Sequence, residues 1–396
     1  MITINTSDLV RGIETASLAV ERRSTLPILT GIRIKPDAGG IRLSGMDMDM
    51  QVDAQIPADV NGSAFEAVIM EPKMLATAAR RAAAPQIGLE DVAGADRVSA
   101  SCGRFTYGWG TLPTEDWPDM DEPRSEIAAA TLGAEFVDAL RRARPCISEE
   151  ETRYYLNGVF IHGHDENWGA SVVATDGHRL TRIGIAMPDC RGQIPGIIIP
   201  HKTVDAVLAV AKTRPTEPIY FVVSTKLPRN SEERPKSTAP DAYATLCEFR
   251  IGNVRILSKL IDGTFPEYRR VIPTEAPLRA TFDRAELTKA ALGLKFSVKA
   301  RGGTALRVEM KHGTASMSSA WEGSSLRGQV DVEYDGEATG FTFGVNAGYL
   351  LDALGSYAPQ ERITLAFDKT NQRDCPITIV SPEDGHALTV LMPMRV

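Results

Sequence analysis

Asp176 and His178 stand close together in the run TDGHRL (175–180), a pairing of types that serves acid–base catalysis when a nucleophile is near. No serine or cysteine elbow of the G-x-S-x-G kind accompanies them. The run also occupies the strand region held by MDMDMQ (46–51) in an earlier, similar stretch, so a repeated structural element accounts for it better than an active site. Asp47 and Asp49 could serve as metal carboxylates, but alternation along a strand, methionines inward and aspartates outward, explains them without a metal. His162 and His164 have a spacing that suits two ligands on one strand. With no cysteine or third histidine nearby, they read as a solvated strand end. The five cysteines are scattered and form no C-x-x-C pair, which argues against a disulfide framework or a zinc site. No catalytic residue, metal or cofactor is expected.

The elements that carry these residues repeat three times. Leu9, Ile13, Ala16 and Val20 fall on one helical face, as do Phe136, Leu140 and Ala143, and then Leu287, Ala291, Leu294 and Val298. A second helical pattern follows in each copy and stops before Pro85, Pro215 or Pro359, because proline cannot continue a helix. Strand-like runs IGLEDV, IYFVVS and ITLAFD come next. The spacing predicts an α+β protein of three similar domains, 1–128, 129–277 and 278–396, each with two helices on antiparallel sheets. Residues 224–243, polar and proline-rich, read as a loop inserted into the second copy.

The formal net charge is -7, which argues against a nucleic-acid binder held by overall charge. The six expected helices nevertheless sum to about +8, enough for a local basic face if the copies are arranged alike. Contributors include Lys73, Arg80, Arg81, Arg141, Arg142, Arg144, Lys202, Lys212, Lys289 and Lys299. The start MITINTSDLV lacks the pattern of a signal peptide, and no apolar run is long enough for a membrane span. A soluble cytoplasmic protein is the expectation. The end, ALTVLMPMRV, is almost uncharged, so it must be docked or must bind something.

Several runs in order carry a resemblance: ERRSTLPIL (21–29), TRYYLNGVF (152–160), VATDGHRLTR (173–182), SKLIDGTFPEYRRVIP (258–273), FGVNAGYLLDAL (343–354) and VLMPMRV (390–396). The chain is similar over essentially its full length to the bacterial DNA polymerase III β subunits, the sliding clamps. The first domain and the middle of the third are its most divergent parts. The resemblance implies the DNA clamp fold and a head-to-tail homodimer closed into a ring. Duplex DNA threads that ring without being read in sequence. It implies a non-catalytic processivity factor that tethers the DNA polymerase III α subunit, the clamp loader, other polymerases and repair proteins through a short Q-L-x-L-F type peptide. A duplicate or self-protection clamp with altered partners is the alternative within the family, and an enzyme using Asp176 and His178 is the alternative outside it.

The implied peptide pocket comprises Arg153, Leu156, Thr175, Gly177, His178, Arg179, Leu180, Pro266, Arg270 and Val271. Asn346, Tyr349, Val390, Leu391, Met392, Pro393, Met394 and Arg395 complete it. Arg23, Tyr154 and Tyr155 are implied at the DNA, beside the helix charges Lys73, Arg80, Arg81, Arg141, Arg142 and Lys202. Glu150 departs from the neutral or polar residue usual at its position. The dimer contact is expected between Tyr107 and Trp109 of one chain and Leu292, Leu294 and Phe296 of the other.

Overall fold

A computed structural model describes every residue except 22, 62–65, 83, 93–95, 119, 121, 124, 164–168, 226–243, 296–303, 312, 336–340, 359 and 368–375. The inserted loop beyond Thr225, His164, Phe296, Lys299 and Pro359 therefore lie outside the described residues. Six α-helices are present among them: α1 (Thr6–Ala16), α2 (Pro72–Ala82), α3 (Ala134–Ala143), α4 (His201–Thr213), α5 (Arg284–Gly293) and α6 (Ala347–Leu354). The chain groups into two compact units, one of residues 1–137 and 189–260, the other of 138–188 and 261–396.

The grouping divides the middle repeat, and sheet pairing explains why. In the first unit the strand Val254–Lys259 pairs with Met50–Pro57, joining middle-repeat strands to those of the first repeat in one 13-stranded sheet. In the second unit Arg179–Ile185 pairs in the same antiparallel sense with Asp384–Leu391 of the third repeat.

The first unit is built on amphipathic helices over that sheet. Leu9, Ile13 and Ala16 of α1 and Leu75, Ala76 and Ala79 of α2 are buried with Ile41, Leu43 and Ile56. Gly12 lets α1 approach closely, since a Cβ there would lie 2.6 Å from Leu43 Cδ1. Phe136, Phe221 and Phe249 stack on one another at centroid distances of 6.1, 6.1 and 4.9 Å. Fully burying each such side chain contributes about 1.5–3 kcal/mol. In the second unit a four-stranded sheet runs Ser324–Asp331, Thr314–Trp321, Ala305–Lys311, Phe341–Asn346, with α5 and α6 in contact nearby.

Two expectations need correction. Helix α5 stops at Gly293, with Leu294 and Lys295 beyond it, so Lys295 adds nothing to helical charge. As observed, the six helices sum to about +3, most of it from Lys73, Arg80 and Arg81 of α2. The MDMDM run is a turn as well as a strand: Met46 and Met50 are inward, but Asp47 is buried and Met48 is exposed. Asp47 Oδ1 accepts the N–H groups of Asp49 at 3.1 Å and Met50 at 2.8 Å, which reverses the chain and leaves Met48 at φ 73°. Its other oxygen accepts from Lys202 Nζ at 2.8 Å.

Candidate peptide site and nucleic-acid interface

In the second unit the same turn recurs at Asp176. Its Oδ1 accepts the N–H groups of His178 at 2.9 Å and Arg179 at 3.0 Å, and its Oδ2 accepts from Arg179 Nε at 3.0 Å. Gly177 takes the left-handed position at φ 87°, where an added Cβ would lie 2.5 Å from Arg153 Nη1. Thr175 Oγ1 donates to Arg179 O at 2.7 Å and accepts from Gly177 N–H at 3.1 Å. The bonds of Asp176 thus hold a turn and none runs to the imidazole; the His178 ring instead stacks on Tyr349 at 6.2 Å.

Arg179 is the centre of this arrangement. It donates to Asp352 Oδ2 at 2.6 Å and to Pro145 O, and its guanidinium lies 4.4 Å from the Tyr349 ring centroid. Only 10% of the side chain is exposed, so Arg179 holds the wall and is not a free cation for a ligand. Burial pushes the neighbouring Cys146 thiol up to about 12, which keeps it protonated and removes it as a nucleophile. Asn346 caps α6, accepting from Gly348 N–H at 2.8 Å and Tyr349 N–H at 3.3 Å. Arg153 makes a two-toothed pair with Glu150, Nε to Oε2 and Nη2 to Oε1 both at 2.7 Å. The departure at Glu150 is therefore neutralised by Arg153.

The apolar chain end is docked. Leu391 and Val390 pair with Arg179 and Leu180; then Met392 N–H donates to His178 O and Met394 N–H to Gly344 O, each at 2.9 Å. Leu156, Leu180, Val390 and Leu391 are buried, while Pro266, Arg270, Val271, Met392 and Arg395 are exposed and Pro393 and Met394 half-buried. Sequence reasoning missed Gly344. A Cβ there would collide with Met394 O and come within 2.5 Å of Val396 Cγ1. A glycine inside the alternating run FTFGVN is the available signal for such a close approach. Gly344→Val is expected to unseat residues 394–396 and weaken a Q-L-x-L-F type peptide by about tenfold or more, the loss of one apolar contact. Calorimetric titration checks this, and unchanged affinity would show that the tail's seat does not matter for binding.

The basic residues separate into three groups. Arg142 is corrected outright: it is 8% exposed, bonds Asp384 at 2.7 Å, lies 3.5 Å from Asp138 and covers the Tyr357 ring at 5.1 Å, so no phosphate reaches it. Arg80, Arg141 and Lys202 are largely exposed but paired with Glu14, Asp138 and Asp47. Lys73, Arg81 and Arg23 are exposed, and among the described residues no carboxylate lies within 4.0 Å of Lys73 or Arg81. Tyr154 is exposed and meets Tyr155 edge to face at 5.8 Å. His162 is also corrected: it is no solvated strand end, because its Nε2 lies 2.9 Å from Tyr268 Oη and its ring 5.1 Å from Phe160.

At the expected dimer contact, Phe105, Tyr107 and Trp109 form a row along Phe105–Leu112 at centroid distances of 6.3 and 5.6 Å. Tyr107 and Trp109 pack partly on their own core, and Phe105, missed in sequence, is the exposed member at 55%. At the end of α5, Leu292 is 58% exposed and Leu294 is buried at 4% in its own unit.

Three family models match in order along the chain, describing the N-terminal domain of the DNA polymerase III beta subunit (residues 1–121), its central domain (132–267) and its C-terminal domain (269–395). The chain belongs to that family. A beta sliding clamp of Caulobacter vibrioides is 29% identical over 406 residues, covering 100% of both chains. One from Rickettsia bellii is 26% identical, covering 100% of this chain and 99% of its own. Among solved structures, a sliding clamp from Bartonella birtlesii bound to griselimycin has a TM-score of 0.85 at 26% identity, over 100% of this chain and 99% of that one. A Caulobacter crescentus beta sliding clamp with polyethylene glycol at a putative motif-tethering region has a TM-score of 0.84 at 27% identity, over 100% and 98%. The fold is therefore the three-domain clamp fold, and membership makes the chain a sliding clamp and not an enzyme. No described helix is long and apolar enough to cross a membrane.

Proposed function

We propose that two copies of the chain join head to tail into a ring that encircles duplex DNA and tethers polymerase III, its loader and repair proteins by a short peptide. The ordered match of three clamp domains along one chain carries this reading. Two open sheet edges support it. Residues 105–109 pair only with Arg97–Cys102, and Ser324–Asp331 pairs only with Thr314–Trp321, among the described residues. Exposed edges of this kind, one in the first repeat and one in the third, suit mutual pairing between copies. The repeats 1–128, 129–277 and 278–396 are the three domains each copy contributes. The place of work is the cytoplasm.

On the DNA side, Lys73, Arg81, Arg23 and Tyr154 are the free contacts. Arg80 and Arg141 join them by exchanging a carboxylate for a phosphate, since a surface pair is worth only about 0–1 kcal/mol. Lys202, more than half exposed, reaches a phosphate while keeping its bond to the buried Asp47. On the peptide side, Pro266, Val271, Met392 and Met394 offer apolar surface, with Arg270 and Arg395 beside it. Binding to open linear duplex is expected to be weak and lost with added salt. On a nicked circle loaded by the ATP-driven loader, retention should outlast moderate salt until the circle is cut. Equal salt sensitivity on both substrates would exclude encirclement.

A further inference from the structure

A cleft of ≈ 430 Å³ lies in the first unit between α1, the strand Met50–Pro57 and the C-terminal end of α4. Leu18, Ala54, Ile56, Ala209 and Val210 give it apolar walls, and Arg11 and Arg214 belong to its lining. The internal repeat explains why it is open. Leu9, Ile13 and Ala16 of α1 are buried as Phe136, Leu140 and Ala143 of α3 are, which sets Thr15 where α3 carries Arg142. In that later copy Arg142 is buried, held by Asp384 at 2.7 Å and laid over Tyr357. In the first copy threonine is too short to do this, and the hairpin turn between Leu246–Ile251 and Val254–Lys259 offers the neutral Asn253.

Arg214 has only neutral partners there. Its Nε and Nη2 donate to Asn253 Oδ1 at 3.3 and 3.0 Å, and Nη1 donates to Thr213 Oγ1 at 3.0 Å. The carboxylates of the lining are committed elsewhere, Asp8 to Arg11 at 2.5 Å and Glu14 to Arg80. Among the described residues no carboxylate comes within 4.0 Å of Arg214. Burial and the nearby Arg11 hold its pKa below the usual guanidinium value, outweighing the opposing pull of Glu217, which makes no ion pair with it. Two of its five N–H groups remain for an oxyanion.

We infer that this cleft binds a small amphipathic anion, an apolar body carrying a carboxylate, sulfonate or phosphate that bonds Arg214. The volume is within the range of small-molecule sites, and an apolar wall beside one fixed cation is their usual make-up. A bare DNA phosphate would use the arginine but not Ile56, Ala209 and Val210. The inference does not depend on the ring.

The test is a fluorescence titration of the full chain with anilinonaphthalene sulfonate, which has both parts. Saturable binding is expected, weakened about tenfold or more in Arg214→Gln by loss of a charge-assisted hydrogen bond. It should be abolished in the double variant Thr15→Arg with Asn253→Asp, which rebuilds the filler of the later copy. Unchanged melting of Arg214→Gln keeps the result interpretable if the double variant folds poorly. Binding that is the same in Arg214→Gln as in the parent would overturn the assignment. So would displacement of the probe by a short DNA duplex whose own affinity falls in Arg214→Gln, since the cleft would then be a phosphate contact.

Discussion

Phe105→Glu is expected to migrate as a monomer near 42.9 kDa, where the parent chain migrates as a dimer. The side chain is 55% exposed in the single chain, so the change costs the fold little, and the melting temperature should stay within a few degrees. In a dimer the ring would be covered, with Tyr107 stacked on it at 6.3 Å. Losing one buried aromatic removes about 3 kcal/mol, which raises the dissociation constant by about two orders of magnitude. A two-chain ring has two such contacts, and both carry the change. Sedimentation velocity measures the outcome directly. A dimer that persists at micromolar concentration would mean the contact is built elsewhere, for instance around Leu292 alone.

Arg142→Met is expected to act on stability and not on DNA. Removing the guanidinium leaves Asp384 without its partner and strips the cover from Tyr357, a loss of about 3 kcal/mol for a buried pair broken on one side. Denaturant unfolding should show it, and DNA retention below the new melting temperature should match the parent. Arg81→Glu is the contrasting variant, with stability nearly unchanged and DNA binding weakened and more easily lost in salt. If Arg142→Met lost DNA retention without loss of stability, the burial of this residue would be misread.

The parts legible in the sequence were those set by local rules. Helix faces such as Leu9, Ile13 and Ala16 were readable from spacing, and α4 stops at Thr213, ahead of Pro215, because proline cannot continue it. The end of α5 was not readable. The apolar spacing continues through Leu294, yet that side chain leaves the helical stripe and is buried beyond the last turn. Charges were countable but their partners were not, since Arg80 meets Glu14 and Lys202 meets Asp47 from far along the chain. Such pairs exist only once the sheet has brought the segments together. The same holds for Gly344, whose need to be glycine comes from a tail that arrives after it in sequence.

The buried cysteines give each unit its own clock. Cys247 in the first unit and Cys146 in the second are enclosed, and desolvation raises both thiols above their usual range, so neither is a thiolate while its unit stays closed. Cys190 is half-buried and, among the described cysteines, should react first with an alkylating reagent. In a pulse-labelling series, the rates at Cys146 and Cys247 then report how often each unit opens. Equal rates would mean that the units open as one, and a slower Cys247 would mean that the second unit opens by itself.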